Sequence, residues 1–194
     1  MQKPDFKEFL KLSKKGNVIP VYREINADLD TPVSAFLKIK KAEYAFLFES
    51  VEGQEKLARY SFLGFNPSLI FKSKGKNIEI RSLTGKRSVK FLTSLTPLDE
   101  VKKLMLNFKS VNVPGLPRFS GGLVGYIGYD MVRFFEPIAD ANPDYLKTPD
   151  SVLMLMDDLL VFDHVRHTIK IVSNAILTGK KNFTLKEKKR IYGE

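Results

Sequence analysis

Between Glu43 and Gly85 the chain passes through four short segments, "EYAFLFES", "ARYSFLGF", "SLIFKSKG" and "NIEIRSL", punctuated by Gly53, Gly64, Pro67, Gly75 and Gly85. Their length and their aromatic and β-branched content mark them as strands. Connections this short leave little room for crossover helices, so antiparallel hairpins are expected. "EYAFLFES" is apolar on both faces, with Tyr44, Phe46 and Phe48 on one and Ala45 and Leu47 on the other. That pattern predicts a central place in a sheet.

Helices interrupt these strands. Asp5 to Glu8 has the form of a capping box, and Phe6, Phe9 and Leu10 recur at helical spacing before Gly16, which predicts a short helix ending near Lys15. "VIPVYREI" reads as a strand, and Pro20 suggests an edge or an early position. Thr31 before Pro32 opens a helix over 32–40. Thr96 before Pro97 opens another, with Leu98, Val101, Leu104, Met105 and Phe108 as one apolar stripe. "RFSGGLVGYIGYDMVRFFE" predicts a loop, a short strand and a helical turn from Asp130. "SVLMLMDDLLVFDHVRHTIKIVSNA" predicts two long strands broken by a polar tip at 163–167, and Thr184 to Glu187 is another capping box. Helices between runs of hairpin-connected strands define an α+β fold of mainly antiparallel sheet with a few short helices.

At 194 residues, 43% hydrophobic and 28% charged, the chain is expected to form a globular body. It has no cysteine, which excludes a disulfide framework, a thiolate zinc site and a cysteine nucleophile. No apolar run approaches the roughly 20 residues of a membrane-spanning helix, and the N-terminus opens polar, so the expectation is a soluble, cytoplasmic protein without a membrane partner. The net charge of +10 raises nucleic acid as a partner. The charge is unevenly placed: seven basic residues lie between Phe71 and Lys90 and six between Lys180 and Arg190, against three basic and seven acidic from Ser110 to Leu160. That distribution, with no nucleic-acid-binding motif beside it, reads as solvated turns and tail.

Few residues suggest chemistry. His164 and His167 are three apart in strand-rich sequence, where their side chains point to opposite sides, and the neighbours Asp157 and Asp158 fail as an acid/base pair for the same reason. The glycines at 121, 122, 125 and 128 match neither a phosphate-binding loop nor a dinucleotide fingerprint. Their expected role is close approach of backbone to aromatic rings. No catalytic residue and no metal ligand is assigned from the residues.

Four blocks, "IPVYREINADLDTPVSAFLKI", "FLFESVEGQEKLARYSFLGFNPSLIF", "FSGGLVGYIGYDMVRFFE" and "DDLLVFDHV", resemble in order and spacing the N-terminal region of the anthranilate synthase large subunit. The large subunit of aminodeoxychorismate synthase, the alternative, shares the Gly-Tyr block, but "DLDTPVSAFLKI" and "LFES" look more like the anthranilate family. The resemblance implies an N-terminal regulatory domain over 1–178 and, from 179 to 194, the start of a linker helix toward an absent C-terminal chorismate-binding domain. In that family chorismate becomes anthranilate and pyruvate, with magnesium held in the C-terminal region and ammonia supplied by a glutamine amidotransferase subunit. The resemblance thus implies no cofactor in this chain, no synthase activity for it alone, and L-tryptophan as a feedback inhibitor bound partly by the "LFES" motif. Carried over by position, Glu49 and Ser50 bind the inhibitor and Leu47 and Phe48 frame it. A tryptophan zwitterion needs an acceptor for its ammonium, a donor for its carboxylate and apolar walls, which these residue types supply in part. Arg59 is a further candidate for the carboxylate, with a surface ion pair as its competing reading.

Overall fold

The computed structural model describes residues 1–39, 42–49, 59–139, 143–179 and 182–193. In chain order the elements are α1 (Phe6–Leu12), β1 (Val18–Asn26), α2 (Pro32–Ile39), β2 (Ala45–Phe48), β3 (Tyr60–Phe65), β4 (Leu69–Lys74), β5 (Asn77–Ser82) and β6 (Arg87–Leu92). There follow α3 (Pro97–Met105), β7 (Gly122–Ile127), a 3-10 helix (Tyr129–Phe134), β8 (Ser151–Met156), β9 (Asp158–Asp163), β10 (Thr168–Ile176) and α4 (Leu185–Gly193). Two five-stranded sheets result, ordered β1-β10-β9-β3-β2 and β6-β5-β4-β8-β7, with every assigned strand register antiparallel. The expected α+β class is the observed one.

The chain divides into two compact units, the first formed by 1–67, 108–121 and 156–194 and the second by 68–107 and 122–155. In the first unit, one face of its sheet carries helices at two places. Ala35, Phe36 and Ile39 of α2 pack with Leu47, Leu63, Phe162 and Ile169. Phe9 of α1 lies in a second cluster with Ile19, Val21 and Ala175, against which Ile191 and Tyr192 of α4 also pack. The opposite face carries the 108–121 segment: Tyr22 donates its hydroxyl to the Pro114 carbonyl, Asn174 donates its amide to the Ser120 carbonyl, and Phe119 sets its ring edge-on to Phe62 at 5.3 Å. In the second unit Phe71, Ile78 and Leu153 form the core, with Val101 of α3 packed against it.

The caps form as the sequence requires. The Asp5 side chain accepts the Glu8 N–H. Thr96 and Asp99 form a reciprocal capping box, and Glu187 accepts from both the backbone and the hydroxyl of Thr184. Pro20 lies in an edge strand, where its missing donor costs no ladder bond.

Four local expectations change. β2 is an edge strand, not a central one. Its double-faced apolarity reflects side chains that pack on both faces, with Leu47 against α2 and Phe46 buried on the other side. β3 and β4 fall in different sheets, so they do not form a hairpin. The first of the two long strands breaks at Asp157 into β8 and β9, again one in each sheet. Finally, the glycine-rich block approaches backbone and amide groups, not rings: a Cβ on Gly125 would collide with the Val152 carbonyl oxygen, and one on Gly121 with the Asn174 side chain.

Candidate functional site

The register of the first sheet decides which candidate residues can meet. Phe48 lies opposite Phe62, which lies opposite Val161, then Lys170, then Glu24. The adjoining row on the same face runs Tyr60, Asp163, Thr168, Asn26. One face therefore carries an aromatic end and a charged middle. Phe46 and Phe48 have ring centroids 4.9 Å apart, Tyr60 and Phe62 6.2 Å, and Phe48 keeps 52% of its surface exposed.

Successive strand residues point to opposite faces, so Leu47 and Phe48 do not share a surface. Leu47 faces Leu63 and the α2 cluster, whereas Phe48 stands on the aromatic face. Glu49 follows directly and is exposed. Ser50, the other half of the motif, lies outside the described residues.

Arg59 sits where the chain enters β3. Its Nε donates to Oδ1 of Asp163 at 3.1 Å and its Nη2 to Oδ2 at 2.8 Å, a bidentate pair, while its guanidinium carbon lies 4.9 Å from the Tyr60 ring centroid. The Asp163 side chain is fully buried, and it also accepts the Arg166 N–H and lies 3.5 Å from the buried Lys170 ammonium. Lys170 reaches Glu24 as well, at 3.8 Å. Burial pushes the Asp163 carboxyl up, but the Arg59 hydrogen bonds, the Arg166 N–H and the charges of Arg59 and Lys170 outweigh it and hold the group below its usual range. The same hydrogen bonds raise Arg59.

His164 completes this edge. Its backbone N–H donates to the Arg59 carbonyl at 2.9 Å, and its Nε2 lies 2.7 Å from the buried Ser61 hydroxyl. In sequence His164 stands out only beside His167, and this contact has no local signature. Ser61 and His164 are 103 residues apart in the chain, and no local pattern links them.

A concavity of roughly 700 Å3 in the second unit is lined by Lys74, Asp130, Arg133, Asp144, Tyr145 and Asp150, among others. Lys74 lies 2.5 Å from Asp144 and 3.1 Å from Asp150, and those two hydrogen bonds raise it above its ordinary value. Its ammonium is thus already matched by two carboxylates. Among the described residues no group of three or more His, Cys, Asp and Glu side chains could hold a metal ion. None of the described helices is long and apolar enough to cross a membrane.

One face of the first sheet thus sets the half-exposed Phe48 ring near a charged cluster whose Asp163 and Lys170 are buried. The sequence is similar to anthranilate synthase component 1 from several organisms. It is 40% identical over 177 residues to that of Acetivibrio thermocellus, covering 91% of this chain and 35% of the relative. It is 40% identical over 166 residues to that of Aquifex aeolicus, covering 85% and 33%, and 39% identical over 182 residues to that of a Synechocystis species, covering 93% and 35%. The chain therefore spans about a third of the length of these curated relatives. The crystal structure of anthranilate synthase component I from Streptococcus pneumoniae shares its fold, with a TM-score of 0.51 and 24% identity over 88% of this chain and 35% of that one. No family model matches the chain.

Proposed function

We propose that this chain is the N-terminal part of an anthranilate synthase component 1, and that it carries part of a tryptophan feedback site while the chemistry belongs to the remainder of the protein. The observation that carries this reading is the 40% identity to a protein of that name over 91% of the chain. The parent protein would convert chorismate to anthranilate and pyruvate. Magnesium and chorismate would be held by a C-terminal domain, and ammonia would come from a glutamine amidotransferase subunit. A cytoplasmic location goes with such a biosynthetic role.

The inhibitor half-site comprises Glu49 and Ser50, with Phe48 as an apolar wall. Glu49 accepts from the tryptophan ammonium, Ser50 donates to its carboxylate, and the exposed Phe48 ring meets the indole. Leu47 supports this wall from behind, through its packing on α2, and does not touch the ligand. An inhibitor held between this chain and a second domain would favour one relative orientation, and chorismate binding would respond through that differential affinity.

The test joins this chain to the remaining two thirds of the Acetivibrio thermocellus relative and follows anthranilate by its fluorescence. Glu49→Ala should raise the tryptophan concentration for half-inhibition at least about fivefold, the lower end of ordinary allosteric coupling, with kcat unchanged. Inhibition identical to the parent chimera would overturn the assignment of Glu49.

A further inference from the structure

We infer that Arg59 is a positioning residue of the effector site, acting through Asp163, and not a ligand for the effector's carboxylate. This rests on the tryptophan reading above for the identity of the ligand. The geometry is that of a clamp: the Nε and Nη2 edge of the guanidinium is closed by a carboxylate with no exposed surface. The Arg59 carbonyl is held by the His164 N–H, and two residues on, Ser61 is held by the His164 ring. Residues 59 and 61 are thus tied to the consecutive residues 163 and 164. β2, which carries Phe48 to the start of the motif, is itself registered on the same strand through Phe48 and Phe62. Both the exit of the chain at Phe48 and its return at Arg59 are therefore fixed to one strand, β3.

Charge balance points the same way. If Arg59 turned its fork to an incoming carboxylate, Asp163 would keep, among the described residues, the Arg166 N–H and a 3.5 Å contact with Lys170. A buried carboxylate stripped of its bidentate partner is strongly disfavoured, so ligand binding by that edge would work against itself. The planar fork is also what a lysine cannot reproduce, so charge and placement are experimentally separable at this position.

The experiment titrates the 194-residue chain with L-tryptophan and with tryptamine, which lacks the carboxylate, at millimolar concentration by NMR, well below the unfolding temperature. Arg59→Lys and Asp163→Asn should each weaken both ligands by the same factor, at least about threefold, the range found for residues that act without touching a ligand. A role confined to global stability would leave the affinity of the folded protein unchanged. The inference is overturned if Arg59→Lys or Arg59→Ala weakens tryptophan and spares tryptamine, or if Asp163→Asn leaves both unaffected. If the parent chain binds neither ligand, as a half-site allows, the effector reading is decided by inhibition of the joined protein, and amide exchange decides the clamp. Faster exchange at Phe48, Glu49 and Tyr60 in Arg59→Lys and Asp163→Asn, with α3 unchanged, supports it, and unchanged exchange at those three residues sinks it.

Discussion

Asp163 joins three groups of the first unit, since it faces Arg59, Lys170 and the Arg166 N–H at once. Asp163→Ala would leave the Lys170 ammonium buried with Glu24, at 3.8 Å, as its ion-pair partner among the described residues. Removing one partner of a buried ion pair costs about 3 to 5 kcal/mol, so urea denaturation of this variant should show a loss of about that size. The pH dependence has a definite sign. The folded-state carboxyl titrates below its unfolded value of about 3.9, so its contribution is complete above that pH and is lost as pH falls through the folded value. Asp163→Asn should therefore lie below the parent in urea midpoint at neutral pH, with the gap closing below about pH 4. A gap that persists unchanged into stronger acid would show that Asp163 acts by shape and not by charge. None of this was legible residue by residue. In sequence Asp163 opens a polar tip and Arg59 flanks a turn, and the two, 104 positions apart, carry no signal of their pairing.

The elements were legible where their signals are local and obscure where partners decide. Asp5, Thr96 and Thr184 announce their helices because an N-cap side chain and its N–H donor lie three residues apart. Thr96→Ala should lower stability by about 1 kcal/mol, a typical value for a lost cap, read from thermal unfolding. The place of β2 was misread because apolar residues on both faces report packing above and below a strand, not the number of strands beside it. The split of β8 from β9 escaped notice because both halves share one composition, and only Asp157 between them marks the change of sheet. Gly125 has a role that its sequence context hides. A methyl group there meets the Val152 carbonyl of the neighbouring strand, and backbone cannot swing aside as a flexible side chain can. Gly125→Ala should cost about 1 to 3 kcal/mol, as overpacking does, whereas Gly193→Ala, with open space around it, should be near neutral. Equal effects at the two positions would remove the steric account of Gly125.

At the scale of the whole chain, the two units each have their own core, and each is assembled from separated stretches of sequence. Neither could be recognised from composition shifts, because the chain passes between them at Pro67, Asn107, Gly121 and Leu155 without a linker of distinctive composition. The basic excess belongs largely to exposed positions of the β4 to β6 hairpins and of α4, as expected of solvated charge. Since the chain spans about a third of its curated relatives, the proposed feedback site is a half-site. Binding free energy for a zwitterionic indole comes from burying most of the ligand in a cleft, and one wall buries too little of it. The exposed Phe48 and Glu49 would offer contact on a single side. Calorimetry on the 194-residue chain should accordingly show tryptophan affinity weaker than micromolar, and incubation with chorismate, magnesium and ammonia should yield no anthranilate fluorescence. Micromolar binding by the isolated chain would mean that these residues form a complete pocket, and the half-site reading would have to be abandoned. Anthranilate formation would place the catalytic groups within these 194 residues and overturn the division of labour proposed above.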